Sequence, residues 1–210
     1  DGFSIHAPII FAFESRVDLA ACVTIFGDKS NSTHEDHCTL ILDESGNAVP
    51  HFVDVDGRAE EGGKQMIILR TLSALLPQTR YVVAVQSFHD LEGQLISPPV
   101  GFAKLRDGET TNSQEIEGER TRFEKEIFPI LSDYGLKQDD LQLAWDFTTG
   151  SVEWALTDII QSRDLALAWL EDNTPGVAVQ AVVEESGGNS FLTVYGEITG
   201  PLIMEHKAPG

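Results

Sequence analysis

Long apolar runs are missing from this 210-residue chain, and positive charge is scarce. No stretch approaches the ~20 consecutive apolar residues that a membrane-spanning helix needs. Lys and Arg number 14 against 34 Asp and Glu, for a formal charge of −20. A surface of that sign repels phosphate backbones, which argues against nucleic acid as a partner. The common catalytic signatures are also missing: no G-x-S-x-G, H-E-x-x-H, Walker loop or C-x-x-C occurs. Nothing in the spacing of the carboxylates selects a pair for glycoside hydrolysis. The start, Asp1-Gly2-Phe3, has no basic segment leading into an apolar run, so any signal peptide has been removed or lies outside it. What is present is a 41% hydrophobic, 8% aromatic composition, enough for a packed interior and too apolar for disorder.

The charge is unevenly spread. Residues 1–106 carry 14 acidic and 8 basic side chains, and residues 107–210 carry 20 and 6. A polar seam free of aliphatic residues, Arg106 to Gln114, lies between them and reads as a boundary. In the first part, Ile9–Phe13, Cys22–Phe26, Thr39–Leu42, His51–Val55, Met66–Leu69 and Tyr81–Val85 are short apolar or β-branched runs. Turn chemistry such as Asp43-Glu44-Ser45-Gly46-Asn47 and Asp56-Gly57 separates them. Parallel strands would need crossover helices, for which there is no room. The expectation is an antiparallel β-sandwich over residues 1–106. The second part, 115–210, mixes periods. Thr121 and Glu124 have capping-box spacing, and Phe123, Ile127, Ile130, Leu131 and Tyr134 fall on one helical face that Gly135 should end. Pro129 should kink or limit that helix. Leu141–Phe147 alternates like a strand. Ser151–Leu170 reads as a helix burying Leu156, Ile159, Ile160, Leu167 and Leu170, and two β-branched runs around Ser186-Gly187-Gly188-Asn189 read as a hairpin. The whole is mainly β with an α+β second part.

Candidate chemistry is thin. His34-Glu35-Asp36-His37-Cys38 is the densest group of metal-ligand types, but it lacks a second ligand pair at standard spacing and reads as a solvated loop. Asp54 and Asp56 with Glu60 and Glu61 supply oxygens of the kind calcium takes, without the EF-hand pattern, and read as a polar hairpin turn. No metal, cofactor or catalytic residue is therefore assigned. Cys22 and Cys38 are compatible with one disulfide, the alternative being two buried thiols of a cytosolic protein. Asn31-Ser32-Thr33, between them, is an N-glycosylation sequon. Together the pair and the sequon point to an extracellular protein. Asp146, between Trp145 and Phe147, reads as a structural polar residue served by Thr148, Thr149 or backbone amides, or as a cap of the following helix.

Several stretches in this order carry a resemblance: Asp1-Gly2-Phe3-Ser4, Ile68–Leu72, Leu76–Val85, Phe102–Gly108 and Leu141–Thr149, with Gly196–Leu202 near the end. The order resembles the N-terminal half of large secreted α/β-hydrolase-like proteins, including bacterial virulence-factor lipases. In that group an Ig-like β-sandwich precedes the hydrolase domain. The resemblance implies a non-catalytic portion acting as spacer, recognition module and scaffold, partnered by a downstream hydrolase domain or another chain. The nucleophile elbow, acid and His of that group lie further along, so no catalytic residue carries over. The competing expectation is an autonomous extracellular binding module for carbohydrate or protein.

Overall fold

The β-branched runs of the first part form strands, but they are completed by a strand from beyond the polar seam. In the computed structural model, which describes residues 2–59, 64–184 and 191–201, the chain is a mixed α+β protein. Its first strands are β1 (Ile9–Ala12), β2 (Val17–Asp18), β3 (Thr39–Asp43), β4 (His51–Val55), β5 (Met66–Thr71), β6 (Arg80–Gln86) and β7 (His89–Asp90), with a 3-10 turn at Lys29–Thr33 before β3. Helices α1 (Val100–Arg106), α2 (Gln114–Arg122) and α3 (Phe128–Tyr134) follow, and then β8 (Leu141–Thr148). The last part holds α4 (Val152–Asp172), β9 (Val177–Glu184) and β10 (Leu192–Ile198). Two three-stranded antiparallel sheets, β1-β5-β4 and β3-β6-β8, carry the first part, with β2 and β7 paired beside them.

Side-chain alternation decides what each sheet covers. On β5, Ile67 and Leu69 are buried while Met66 and Arg70 are exposed, as a strand with one wet face requires. Ile67 and Leu69 share one core with Phe11 of β1 and with Ile41, Tyr81 and Val83 of the other sheet. In contrast, β6 is buried on both faces. Its alternate residues Val82 and Ala84 join Leu40 and Leu42 in a second core against Phe102, Phe123, Ile127 and Leu131 of the helical segment. Each buried Val, Leu, Ile or Phe among them contributes about 1.5–3 kcal/mol relative to exposure, so the β3-β6-β8 sheet is held from both sides.

The chain divides into two compact units at Ser151/Val152, not at the polar seam between residues 106 and 114. The reason is register: Val82 faces Asp146 and Ala84 faces Ala144, so β8 finishes the sheet begun by β3 and β6. The seam is a loop inside the first unit, where the Arg120 guanidinium donates to the Glu109 carbonyl (2.7 Å) and the Thr111 N–H to Glu117 (2.8 Å).

Two expected elements differ. Cys22–Phe26 is not a strand: the Val23 N–H donates to the His37 ring (2.8 Å), the Val23 carbonyl accepts from Val53 (2.8 Å), and Gly27 closes a turn on Thr24. The helix does not begin at Thr121. Ser113 caps it by accepting from the Ile116 N–H, and α2 runs through a π-helical turn (Phe123–Ile127) into α3. Pro129 lacks the N–H that an α-helix would direct at the Lys125 carbonyl, and the wider turn just before it absorbs that loss. Gly135 ends the helix as expected, in the left-handed region at φ 112°.

In the second unit, β9 and β10 pair antiparallel, with a bulge at Tyr195/Gly196. A Cβ on Gly196 would sit 2.6 Å from the Ala178 carbonyl oxygen, so the bulge admits only glycine. The residues expected to be buried on α4 are not: Leu156, Ile159, Ile160, Leu167 and Leu170 are all exposed, as is Trp154. Val177, Val179 and Val182, which the bulge places on one face of β9, are exposed together with Ile198 and Val194, the partners of Val177 and Val182. The turn at 186–189 lies outside the described residues.

Candidate functional site

Cys22 and Cys38 are disulfide-bonded, with sulfurs 2.04 Å and Cα atoms 5.4 Å apart. Beneath the bond lies a buried polar node. His37 Nε2 accepts from the Val23 N–H, which puts the ring proton on Nδ1, where it donates to the Thr39 carbonyl (2.7 Å). His51 is arranged alike: Nδ1 donates to the Val49 carbonyl and Nε2 accepts from the Thr39 hydroxyl, both at 2.8 Å. The His51 N–H donates to Ser32 Oγ (2.9 Å), and the two imidazoles meet edge to face at 5.5 Å. Burial holds both rings neutral by lowering their pKa values, that of His51 to about 4.

Of the cluster at 34–38, His37 is therefore committed to backbone groups, and His34, Glu35 and Asp36 are exposed. Among the described residues no group of three or more His, Cys, Asp or Glu side chains is arranged to hold a metal. Asp54 pairs with Arg70 at 3.5 Å and Asp56 accepts from the Arg58 N–H at 2.9 Å, while Glu60 and Glu61 lie outside the described residues. The Thr39–His51 contact has the look of a hydroxyl nucleophile and its base. Both residues are fully buried, so no substrate reaches them and the contact is structural. Asn31 is exposed on the 3-10 turn inside the disulfide loop, where an oligosaccharide could be attached.

Asp146 sits on β8 with its side chain 6% exposed. Its oxygens are taken by Arg80 Nε (2.6 Å) and by Arg122, and Arg80 also lies 3.5 Å from Glu126. The donors are arginines and not the threonines expected, and Asp146 caps no helix. Thr149 instead donates to the Leu76 carbonyl (2.6 Å) and accepts from the Thr79 N–H (3.0 Å). With both oxygens engaged, the carboxylate joins β6 and β8 to α2 and has none left for a substrate. Gln142 escaped the sequence reading altogether. Buried on β8, it accepts from the Phe88 N–H (2.7 Å) and donates to the Phe88 and Ile96 carbonyls, satisfying a loop's backbone from inside. Nothing local in the sequence marks it, because all its partners are more than forty residues away.

Among the concavities of the first unit, two border the strands β1 and β8 or the loop after β7. A groove of about 590 Å³ is lined by Phe13, Glu14, Asp90, Leu95, Pro98 and Pro99. An apolar slot of about 160 Å³ between β1 and β8 is lined by Phe3, Pro8, Ile10, Trp145 and Phe147 among others. Neither brings a nucleophile, base and oxyanion donors together.

Replacing both cysteines by serine should lower stability by about 3 kcal/mol, the chain-entropy value for a loop of this length. The urea midpoint of the double variant against the oxidised parent measures it. An unchanged midpoint would show that the node alone holds the loop.

Compared with known protein families and with characterised proteins, the chain matches none.

Proposed function

We propose that this chain is the non-catalytic, N-terminal portion of a secreted lipase- or esterase-like α/β-hydrolase protein. The first unit would act as an Ig-like spacer and recognition module, the second as scaffold for a hydrolase core. The observation that carries this reading is the uncovered apolar surface of the second unit. A two-stranded hairpin is marginal by itself, and an amphipathic helix gains its stability from packing its apolar face. Val177, Val179, Val182 and Ile198 on one face of the hairpin and Leu156, Ile160 and Leu167 on α4 have the composition of a core layer and the exposure of a surface. Further strands from downstream sequence or another chain would cover them.

The Ig-like description is supported by strand order. β1-β5-β4 and β3-β6-β8 correspond to the B-E-D and C-F-G sheets of that fold. Tyr81, near the start of β6, bonds back through its hydroxyl to the Leu76 N–H (2.8 Å), the position of a tyrosine corner. The disulfide and the exposed Asn31 support an extracellular setting, where both modifications form.

Residues 1–210 alone should not hydrolyse short-chain nitrophenyl esters, because acyl transfer needs an activated nucleophile and an oxyanion site. The same chain joined to its downstream sequence should. Turnover by 1–210 that disappears when one of its own serines is changed would overturn the scaffold reading. Inactivity of both chains would favour the autonomous binding module instead.

A further inference from the structure

His37 and His51 are built alike, yet a second ring proton meets a different neighbour on each. On His51 the free nitrogen, Nε2, accepts from the Thr39 hydroxyl (2.8 Å). A hydroxyl can rotate and become the acceptor, so a proton added to His51 finds a partner in place. On His37 the free nitrogen accepts from the Val23 backbone N–H (2.8 Å), while Nδ1 already donates to the Thr39 carbonyl (2.7 Å). A backbone N–H is a donor only, and the chain sets its direction. An imidazolium at position 37 would point N–H at N–H, a conflict relieved only when Val23 moves away.

The loop is fastened so that Val23 can move without the sheets. Cys22 is bonded to Cys38 at one end, and at the other Asp28 caps the 3-10 turn by accepting from the Ser30 N–H (3.0 Å). Between these anchors, among the described residues, two backbone bonds tie 23–27 to the rest of the unit, both at Val23. Its N–H goes to His37, and its carbonyl accepts from the Val53 N–H (2.8 Å). The remaining bonds are local, Gly27 to Thr24 and the Lys29 ammonium to the Ile25 and Gly27 carbonyls. Phe26 is 96% exposed and Ile25 58%, so release forfeits little apolar burial.

No counter-charge steadies a charged His37 in the closed arrangement. From β4 it faces His51, edge to face at 5.5 Å, which burial also keeps neutral. From the 3-10 turn Lys29 lies on the loop carbonyls, and His34, Glu35 and Asp36 are exposed. β6 presents the neutral Gln86, whose amide donates to the Glu35 and His37 carbonyls. Among the described residues neither imidazole has a carboxylate partner. Burial therefore disfavours the imidazolium while the loop is closed, whereas an open loop lets water reach the ring. The open form binds the proton more tightly, so falling pH moves the population from closed to open.

We propose that His37 is an acid-operated latch: on taking a second ring proton it lets go of the Val23 N–H and frees residues 23–27, while the disulfide and both sheets stay in place. The opening is local, belongs to the first unit and needs no downstream hydrolase core.

The test is nitrogen-15 NMR of the full 210-residue chain, titrated from about pH 7 to about pH 5, across the ordinary histidine range. The amide resonances of Val23 to Gly27 should move with the midpoint of the His37 ring, and those of Ile41 and Val83 should not. In H37Q a side-chain carbonyl can accept from Val23 without titrating, so the loop amides should stay still. One unit below the parent's midpoint about ten rings in eleven are charged, and the Val23 amide should exchange about ten-fold faster than in H37Q. H51Q should keep the parent's response. Loop amides that stay still while His37 titrates overturn the latch, and so does a His37 ring that remains neutral until the chain unfolds. Movement that persists in H37Q, or is lost in H51Q, also overturns it by assigning the opening to another group. Should H37Q not fold, the parent and H51Q titrations decide.

Discussion

Asp146→Ala should destabilise the first unit by about 3–5 kcal/mol, the usual cost of removing one partner from a desolvated ion pair. The carboxylate is almost wholly excluded from water, and its loss would leave Arg80 with only the more distant Glu126 (3.5 Å) and Arg122 without its tie to the sheet. Chemical denaturation followed by far-UV circular dichroism measures the change. The triple variant D146L/R80M/R122M gives the sharper comparison, because an apolar replacement of the entire group removes the desolvation penalty along with the attraction. It should recover most of the loss. If the single variant costs under about 1 kcal/mol, within the range of an exposed pair, then the clamp between β8 and α2 contributes little.

Acid should unfold the protein through His51 before it does so through the carboxylates. His51 titrates near 4 when folded and near the ordinary 6.5 when unfolded. Between those values the unfolded chain binds a proton that the native one does not, so stability falls as pH falls from about 6.5 to about 4. Integrated over that window the loss is about 3 kcal/mol. His37 shifts in the same direction and adds to it. Glu117, drawn down to about 2 by Arg120, contributes only at lower pH, below the ordinary glutamate range. The denaturation midpoint measured across pH 7 to 4 should therefore slope downward in the parent and flatten in His51→Gln, whatever the variant's absolute stability. A parallel slope in both would place the acid sensitivity elsewhere.

The strands that could be read from the sequence are those whose chemistry is local. Leu40–Leu42 and Tyr81–Val85 are continuous apolar runs because their sheet is covered on both faces, and such runs advertise themselves. Cys22–Phe26 has the same composition and failed for a reason composition does not contain: its backbone groups are claimed by His37 and Val53. The sequence pattern sets the helix start too late because α2 buries no residue fully, so its periodicity shows only from Phe123 onward. The two-histidine node and the arginine clamp were out of reach altogether. Thr39 and His51 stand twelve positions apart and Arg80 and Asp146 sixty-six, and no periodicity links them.

One consequence of the topology concerns the order of events when the chain folds. β8 pairs with β6, yet everything between Gln86 and Leu141, including three helices, must emerge before that pairing can begin. The contact order at this edge is high, and such pairings form late and slowly. Until β8 arrives, β6 has β3 on one side and an open ladder on the other, with Val82 and Ala84 awaiting the helices. The vulnerable species in biosynthesis is thus a nascent chain ending between α1 and β8, and its hazard is the vacant edge of β6, a ready template for a neighbouring chain's strand.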